Sequence, residues 1–444
     1  MFTTQGLLDR LAPCRDAPVW WLGLSGGLDS MVLLEALVQL RHQHPLPPLR
    51  AIHVHHGLNP AADEWVAHCR RECALRDVPL TVVEVSVQPV ASVENAAREA
   101  RYQAFTAVLG KGDQILLAHH QDDQLETLLF RLIRGTGLLG LAGMPAQRAL
   151  GAGSLQRPLL GWQRGELHDW ATTQALNWIE DPANRDPRFA RTGLRYQVLP
   201  ALRRQWPGAD ASLIRLAAHA REASELLDEL AAEDCRRLEG KSPDPWLAGW
   251  PSLDAKGLAD LSLARQRNLL RYWLRCHGQA LPDARQLDML VSQLVAARDG
   301  QPVLRWGTVQ VARSVGRLWL FPKGQPPAGA AQPLEPANII CLQAGNGRLH
   351  LTRQAGGLAL CSGRWDVGYR AGGELIRLAG RPARSLKQLF QENAVPVWLR
   401  PAVPLLYRDG VLVSVAGRWN DPEGCAAPGE PGWQVHWEPF DGTK

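Results

Sequence analysis

Residues 25–30 read Ser-Gly-Gly-Leu-Asp-Ser, and this hexapeptide lies where a short apolar run gives way to a helical pattern. The upstream run, residues 18–24, has the length of a buried strand, and residues 31–40 are almost continuously apolar without Gly or Pro. Gly26 and Gly27 allow a tight turn whose N–H groups approach a ligand, and the new helix presents its positive end there. The sequence therefore predicts a phosphate-binding turn between a strand and a helix.

Asp29 distinguishes this loop from a bare anion pocket. No G-x-x-x-x-G-K-[ST] spacing occurs and no Lys follows the glycines, so the loop is not a Walker A loop. A carboxylate beside phosphates is favourable when it holds a magnesium ion that bridges them, which makes Asp29 a candidate magnesium ligand. Ser25 and Ser30 add hydroxyl groups. An ordinary glycine-rich turn is the alternative for the Ser-Gly-Gly part alone.

Strand and helix patterns alternate through the first 200 residues and predict an α/β fold, with a parallel sheet flanked by helices. The predicted strands are 19–24, 51–55, 80–85 and 114–118, and the predicted helices are 30–41, 62–76, 93–109 and 122–134. Ligands of such folds bind beyond the carboxyl ends of the strands. Three polar segments, 25–30, 53–57 and 118–123, follow strand ends, so we expect them to converge at one edge of the sheet.

The second half of the chain has a different pattern. Apolar residues recur at helical spacing from about residue 211, further helices are predicted at 262–277 and 283–297, and short strand patterns follow. Residues 322–336 are rich in Pro, Gly and Ala, as in a linker. The expected domains are a catalytic domain at 1–210, a mainly helical domain at 211–321, a linker at 322–337 and a small α/β or mostly β domain at 338–444.

Composition excludes several classes of protein. Hydrophobic residues make up 45% and charged residues 21% of the 444 residues, which fits a globular protein with more than one core. No apolar run approaches the roughly 20 residues of a membrane span, and residues 1–13 lack a signal-peptide core. The eight cysteines include no C-x-x-C pair. We therefore expect reduced thiols without a catalytic role in a cytoplasmic protein.

The net charge of +5 is mild, but its distribution is uneven. Between Arg364 and Arg418, nine basic residues accompany four acidic ones. Trp365, Trp398 and Trp419 are interleaved with these charges, so the segment is a candidate surface for gripping a phosphate backbone and stacking on bases. An ordinary solvated surface is the alternative.

A second polar cluster, His119-His120-Gln121-Asp122-Asp123-Gln124-Leu125-Glu126-Thr127, follows the fourth predicted strand and opens a helix. Asp122 and Glu126 are four residues apart, so both carboxylates project from one helix face. Such a pair suits a cationic substrate or a metal ion. Simple helix capping by the acids is the alternative. A transition-metal site shared with the histidines of residues 53–56 is disfavoured, because no thiol or H-E-x-x-H arrangement accompanies them.

These motifs follow one another in an order that resembles the tRNA(Ile)-lysidine synthetase family. The motifs that carry the resemblance are Ser25–Ser30, His53–Leu58, Glu94–Tyr102, Ala118–Thr127, Arg131–Gly135, Arg157–Leu160 and Glu180–Asp186. The resemblance covers the first 200 residues closely and reaches the C-terminal domain through residues 372–396, whereas the middle segment matches in character only. It implies an adenine nucleotide α-hydrolase-like fold with the pyrophosphatase-type loop of N-type ATP pyrophosphatases.

The resemblance also implies a reaction. In this family ATP adenylates the C2 carbonyl oxygen of the wobble cytidine in the CAU-anticodon isoleucine tRNA, and pyrophosphate is released. The ε-amino group of free lysine then displaces AMP and forms lysidine. The implied co-substrate, ion and partners are ATP, Mg²⁺, free lysine and this tRNA, without a membrane. The oligomeric state stays open, with a homodimer as one option.

Site roles carry over only to positions that match the family motifs. The implied ATP-binding residues are Ser25, Gly26, Gly27, Leu28, Asp29, Ser30, His55, Glu94 and Arg98. The implied lysine-binding residues, with their roles undivided, are Asp122, Asp123 and Glu126. The implied catalytic residues are Asp29, Asp122 and Glu126, with Asp29 as magnesium ligand. The implied tRNA or phosphate contacts are Arg134, Arg191, Arg195 and Lys387, and a surface ion pair is the alternative for each arginine.

One stretch departs from the family pattern. The usual Arg-Asn-x-Leu-Arg reads Arg191-Thr192-Gly193-Leu194-Arg195 here, so any hydrogen bond made by that Asn is in doubt.

Three other functions stay open at this point. A tRNA thiolase of the same fold is disfavoured by the missing cysteine pair, and a non-catalytic tRNA-binding protein by the carboxylate cluster. A small-molecule amidating synthetase leaves the basic, Trp-bearing segment unexplained.

Overall fold

The computed structural model describes residues 1–57, 61–86, 93–180, 190–240, 244–247, 249–295, 302–321, 329–360 and 363–439. The chain divides into two compact units, Met1–Glu225 and Leu226–Lys444. The boundary between them lies inside a 30-residue helix, Ala209–Leu238. Among the described residues no helix is long and apolar enough to cross a membrane.

The first unit alternates strands and helices as the sequence predicts. Its strands are β1 Trp20–Gly23, β2 Leu49–His55, β3 Leu80–Glu84, β4 Gln114–Leu116, β5 Gln147–Leu150 and β6 Gly153–Gln156. Its helices are α1 Thr4–Leu11, α2 Leu28–Gln43, α3 Ala62–Leu75, α4 Val93–Val108, α5 Gln121–Ile133, α6 Leu138–Leu141, α7 Arg164–Thr173, α8 Ala190–Gly193, the π-helical turn Leu194–Val198, α9 Leu199–Gln205 and α10 Ala209–Leu238. The predicted parallel sheet flanked by helices is confirmed.

The sheet has six strands in the order β3-β2-β1-β4-β6-β5. All neighbours are parallel except β5, which pairs antiparallel with β6 at one edge. The sequence analysis did not identify the β5–β6 hairpin, because its two strands are short and mostly polar. The order places β1 and β4 side by side at the centre, so the segments that follow them lie at the same sheet edge.

Two adjacent tryptophans show why both faces of the sheet carry helices. Successive residues of a strand point to opposite faces, and Trp20 and Trp21 of β1 are both buried. Trp20 belongs to a core cluster that includes nine residues of α2, whereas Trp21 packs in a second cluster with Phe105 of α4. The continuous apolar run of α2 is explained by its position, since nearly all of its first three turns are buried.

The second unit is built mostly from antiparallel sheets. Its helices are α11 Ala255–Ala259, α12 Leu263–Cys276, α13 Ala284–Met289 and α14 Leu386–Glu392. Its strands are β7 Ser252–Asp254, β8 Val303–Trp306, β9 Val309–Ser314, β10 Arg317–Phe321, β11 Gln332–Pro333, β12 Ile339–Cys341, β13 Arg348–Ala355, β14 Trp365–Gly368, β15 Leu375–Ile376, β16 Arg384–Ser385, β17 Leu405–Arg408, β18 Val411–Val415, β19 Trp419–Asn420 and β20 Pro431–Glu438. A mostly β C-terminal region is thus confirmed.

One aromatic cluster joins the two parts of this unit. The rings of Phe321 and Trp398 meet edge to face with centroids 4.6 Å apart, and Trp250 lies 5.4 Å from Trp398. Residues on both sides of the predicted linker, 322–337, therefore share a hydrophobic core. Residues 322–328 of that linker lie outside the described part of the chain.

Candidate active site

The turn between β1 and α2 has the geometry of an anion cradle. Gly26 has φ +83°, which L side chains rarely adopt, and a Cβ there would lie 2.8 Å from Ile179 Cδ1, so a larger residue would be strained. Ser25 Oγ accepts from the Gly27 N–H at 3.3 Å and lies 3.1 Å from Ser30 Oγ, which in turn donates to the Gly27 carbonyl at 2.9 Å. Leu28, the first residue of α2, is buried and anchors the helix start. The turn thus presents hydroxyls and a helix N-terminus together.

Asp29 lies in the first turn of α2 and faces the second polar cluster. Its Oδ2 is 3.5 Å from Nε2 of His120, while its Oδ1 is buried and has no hydrogen-bond partner. A buried carboxylate oxygen without a partner beside a phosphate cradle fits a magnesium ligand, because Mg²⁺ commonly takes one or two carboxylates together with substrate phosphates. Among the described residues no group of three or more His, Cys, Asp or Glu forms a self-contained metal site.

His120 connects Asp29 to the acidic helix. It is 1% exposed and caps α5: its Nδ1 accepts from the Asp123 N–H at 3.3 Å, and Asp123 Oδ2 accepts from the His120 N–H at 3.0 Å. With Nδ1 as acceptor, Nε2 carries the proton that points towards Asp29. Burial lowers the pKa of His120, but the carboxylates of Asp29, Asp123 and Asp122 outweigh it and the net pKa is raised. The contacts that cap α5 therefore also hold His120 beside Asp29.

Asp122 is held ionised by two hydrogen-bond donors, a backbone amide and a guanidinium group. Its Oδ2 accepts from the Arg164 N–H at the start of α7 at 2.8 Å, and its Oδ1 lies 2.5 Å from a guanidinium nitrogen of Arg203 on α9. Burial raises the pKa of Asp122, yet these two hydrogen bonds more than compensate, so the net pKa is lowered. Neither partner was expected from the sequence, because both lie about 40 or more residues away on helices that follow the sheet.

Glu126 is the most buried carboxylate of the cluster. It is 2% exposed, and its carboxylate accepts hydrogen bonds from Nε of Arg195 at 2.6 Å and from a second guanidinium nitrogen of Arg195 at 3.2 Å. Arg195 also reaches Oδ1 of Asp123 at 3.2 Å. Burial raises the pKa of Glu126, and the paired Arg195 only partly offsets it. Arg195, expected as a tRNA or phosphate contact with a surface ion pair as the alternative, thus pairs with the carboxylates, and its partner Glu126 is buried.

The remaining predicted site residues are spread more widely. His55 ends β2, with Nε2 3.2 Å from Asp63 Oδ1, and Arg98 on α4 packs over the Tyr102 ring at 5.1 Å. Arg134 is exposed at the end of α5, its guanidinium 4.9 Å from the Phe130 ring. Arg191 is half-buried in α8, and Lys387 is exposed on α14 of the second unit. Glu94 lies in the first turn of α4, and its side chain is outside the described part of the structure.

The base-stacking role expected for three tryptophans is wrong. Trp365 and Trp398 are 4% and 6% exposed within the core of the second unit. Trp419 is half-buried, packs edge-on against Trp246 at 5.4 Å and is covered by the guanidinium of Arg418 at 4.8 Å. Trp365 and Trp419 lie in strands, where one residue points inward and the next outward, so inward-facing aromatic residues can alternate with basic ones along the chain.

Comparisons with known proteins agree with the geometry. A PP-loop domain model matches residues 3–202, a TilS substrate binding domain model residues 253–319, and a TilS substrate C-terminal domain model residues 366–437. The tRNA(Ile)-lysidine synthase of Pseudomonas aeruginosa is 47% identical over 98% of this chain and 96% of its own length. The tRNA(Ile)-lysidine synthase of Coxiella burnetii is 39% identical over 99% of this chain and 97% of its own length. A solved structure of the U34-tRNA thiolase NcsA from Methanococcus maripaludis is 17% identical, with a TM-score of 0.41 over 49% of this chain and 78% of its own.

The two TilS models decide between the enzymes that the loop alone leaves open. They match regions outside the PP-loop domain, and the relatives cover the chain almost from end to end. These matches favour lysidine formation over thiolation, and an ATP-dependent ligase over a protein that only binds. The chain belongs to the tRNA(Ile)-lysidine synthase family.

Proposed function

We propose that this enzyme ligates free lysine to C2 of the wobble cytidine in CAU-anticodon tRNA(Ile), through an ATP-adenylated tRNA, and releases AMP and pyrophosphate. The observation that carries the proposal is one continuous series of contacts. It runs from Asp29 in the phosphate cradle, through His120, to the carboxylates of Asp122, Asp123 and Glu126. These contacts support a polyphosphate site and a cation site that lie side by side.

In the first step the cytidine C2 carbonyl oxygen attacks the α-phosphorus of ATP, and the bond to the β-phosphate bridging oxygen breaks. The N–H groups at the start of α2 and the hydroxyls of Ser25 and Ser30 hold the departing pyrophosphate, where negative charge develops. A magnesium ion held by Asp29 would neutralise part of this charge. The adenylated oxygen becomes a good leaving group.

In the second step the lysine ε-amine attacks C2, the C2–O bond breaks and AMP leaves. The amine arrives as an ammonium ion, so it needs a carboxylate environment and then a proton acceptor. Asp122, whose lowered pKa keeps it ionised, suits cation binding, whereas the raised pKa of Glu126 suits it to accept the proton. Because Arg195 already pairs with Glu126, lysine entry requires this guanidinium to shift or to share its carboxylate.

A cytoplasmic setting is part of the proposal. The seven cysteines that the structure describes are all free thiols, which suits a reducing compartment. Magnesium dependence, the choice of lysine and the CAU anticodon are proposed on the same basis as the reaction.

The test is lysine incorporation. Labelled lysine, ATP and magnesium are incubated with a CAU-anticodon tRNA(Ile) transcript and with a matched transcript that carries uridine at the wobble position. We expect label on the cytidine transcript only. AMP formation stimulated by that tRNA without label would retain adenylation and refute lysine as the nucleophile. Binding of tRNA with neither product would refute the enzymatic proposal.

A further inference from the structure

Four guanidinium groups line one cavity of the first unit, outside the carboxylate cluster. The cavity has a volume of about 470 Å³, and Arg98, Arg131, Arg148 and Arg157 contribute to its wall. Glu99, the single carboxylate among the described lining residues, is exposed at its edge. Only Arg98 was singled out as a site residue from the sequence.

Tyr102 holds three of these arginines in place. Its hydroxyl accepts hydrogen bonds from guanidinium nitrogens of Arg98 at 3.3 Å and Arg157 at 3.4 Å. The guanidinium of Arg148 lies 4.7 Å from the centroid of the Tyr102 ring. Burial raises the pKa of Tyr102, but the surrounding arginines outweigh it and the net pKa is lowered. The wall of the cavity therefore carries a concentrated positive charge.

Arg131 is fixed from the opposite side of the cavity. Its Nη1 donates to the carbonyls of Gly140 at 3.0 Å and Gly143 at 2.9 Å, which ties the loop after α5 to this helix. Burial lowers the pKa of Arg131, and repulsion from Arg98 and Arg191 lowers it further. The position of this charge is set by backbone contacts rather than by a carboxylate.

Arg157 is the innermost charge and is incompletely satisfied. It is 3% exposed, donates Nη1 to the Pro145 carbonyl at 2.8 Å, and its buried Nε has no acceptor. In the described part of the chain, no carboxylate lies within ion-pair distance of any of the four guanidinium groups. A buried guanidinium without an anion is costly, so the cavity has the electrostatics of a site that receives one from outside.

We propose that this arginine pocket, defined by Arg98, Arg131, Arg148 and Arg157, binds a backbone phosphate of the tRNA. Guanidinium forks match phosphate oxygens in charge and geometry. The polyphosphate of ATP has a proposed cradle of its own at residues 25–30, so Arg98, which the family resemblance implied as an ATP contact, is here assigned to the tRNA. Arg157 is buried and Arg148 is exposed, so the pocket runs from the interior of the unit to its surface. This arrangement suits a phosphate group that remains part of a polynucleotide chain outside the pocket. The assignment rests on the proposed function in taking tRNA as the substrate.

The test measures equilibrium binding of a CAU-anticodon tRNA(Ile) transcript to the full chain, without lysine or turnover, between about 50 and 200 mM salt. Arg148→Gln removes a charge at the exposed rim and leaves no buried partner behind. We expect affinity to fall about five-fold, and the slope of log K against log salt to become shallower by about 0.7 to 0.9. Arg15→Gln, an exposed charge outside the cavity lining, is the matched control and changes neither quantity.

A second variant and a second ligand make the result decisive. Arg157→Lys keeps the charge but loses the fork, so it should weaken tRNA binding with little change in slope. Pyrophosphate binding, measured by calorimetry, should stay at the wild-type value in Arg148→Gln. Unchanged tRNA binding in both pocket variants, or equal losses in Arg15→Gln, overturns the proposal. A loss confined to pyrophosphate binding assigns the pocket to the small anion and also overturns it.

These measurements are independent of the reaction. A wild-type enzyme that binds tRNA through the pocket but transfers no lysine would contradict the proposed function alone. An enzyme that transfers lysine with unaltered tRNA binding in the pocket variants would contradict the pocket alone.

Discussion

The arginine pocket of the first unit and the basic segment 364–418 of the second unit contrast sharply, although only the segment stands out by charge in the sequence. In the segment, Arg364 pairs with Asp366, Arg384 with Glu392 at 2.8 Å, and Arg418 with Asp244 at 2.8 Å. The pocket gathers four arginines from α4, α5, β5 and the end of β6, with no carboxylate partner in the described chain. The contrast shows that a local excess of basic residues in the sequence does not reveal which arginines lack a carboxylate partner in the folded protein.

The carboxylate cluster sharpens this comparison. Asp122, Asp123 and Glu126 are all paired with arginines, yet Asp29 keeps a buried oxygen without a partner beside the phosphate cradle. Both the cluster and the pocket contain a buried polar atom without a hydrogen-bond partner, Asp29 Oδ1 and Arg157 Nε respectively, and the basic segment contains one as well, Arg370 Nε. In the basic segment five of the eight arginines pair with carboxylates, and such ion pairs contribute little where they are exposed.

The largest expected effect concerns Asp29. Asp29→Asn removes the charge that would hold magnesium while keeping the shape of the side chain, so tRNA-dependent pyrophosphate release should fall by about two to three orders of magnitude. Binding of tRNA should stay within about two-fold of wild type, because the carboxylate repels rather than attracts phosphate. Asp16→Asn, an exposed residue of the same unit, is the control and should leave both unchanged. Parallel loss of both properties would show that Asp29 supports the fold instead.

The next effect concerns the Arg195–Glu126 pair. Arg195→Met leaves Glu126, 2% exposed, without its cation, and the free energy of unfolding of the first unit should fall by about 3–5 kcal/mol. Adding Glu126→Gln should restore part of this loss. Urea titrations measure both, with the exposed Arg204→Met as matched control.

The pH dependence of this variant has a definite sign. Because the folded-state pKa of Glu126 is raised, the penalty is absent below the unfolded pKa of about 4.3 and grows as pH rises through the folded pKa. A loss that is independent of pH, or as large in Arg204→Met, would contradict the buried-charge explanation.

A smaller effect concerns His120. Its pKa is raised in the folded state, so the stabilising contribution of protonated His120 is complete below pH about 6.5 and is lost as pH rises through the folded-state pKa. His120→Asn keeps an N-cap acceptor for α5 but cannot titrate. The stability advantage of wild type over this variant should therefore shrink from pH 6 to pH 9 in urea titrations, by roughly 1 kcal/mol or less. His42→Asn, at an exposed site, should show no such trend.

The sequence predicted the parts of this molecule that depend on local pattern. The four strands and four helices of the alternating region agree with the structure to within two residues, because each strand is an apolar run and each helix has a uniform period. Segments that follow neighbouring parallel strands lie at the same edge of the sheet, so residues 25–30 and 118–123 were expected to lie close together. The 3.5 Å contact between His120 and Asp29 agrees with this expectation.

Other features depend on tertiary contacts that no local pattern encodes. Arg203 reaches Asp122 from 81 residues away, and Arg195 reaches Glu126 from 69. The arginine pocket draws on positions 98 to 157, and of its four arginines only Arg98 was a candidate site residue in the sequence. The burial of Trp365 and Trp398 in the core of the second unit could not be seen from the sequence, because core aromatic residues and basic residues are mixed along this segment.

The smallest expected effect tests whether the second unit contributes to tRNA binding at all. Lys387 is exposed on α14, and no carboxylate pairs with it in the described chain, whereas Arg364 is paired with Asp366. If the segment touches the phosphate backbone, Lys387→Ala should weaken tRNA binding about two-fold and reduce the salt slope by about 0.7. Arg364→Ala should do less, because its charge is already partly neutralised. A salt slope unchanged in Lys387→Ala but reduced in Arg148→Gln would locate the phosphate contacts in the pocket of the first unit and leave the basic segment a structural surface.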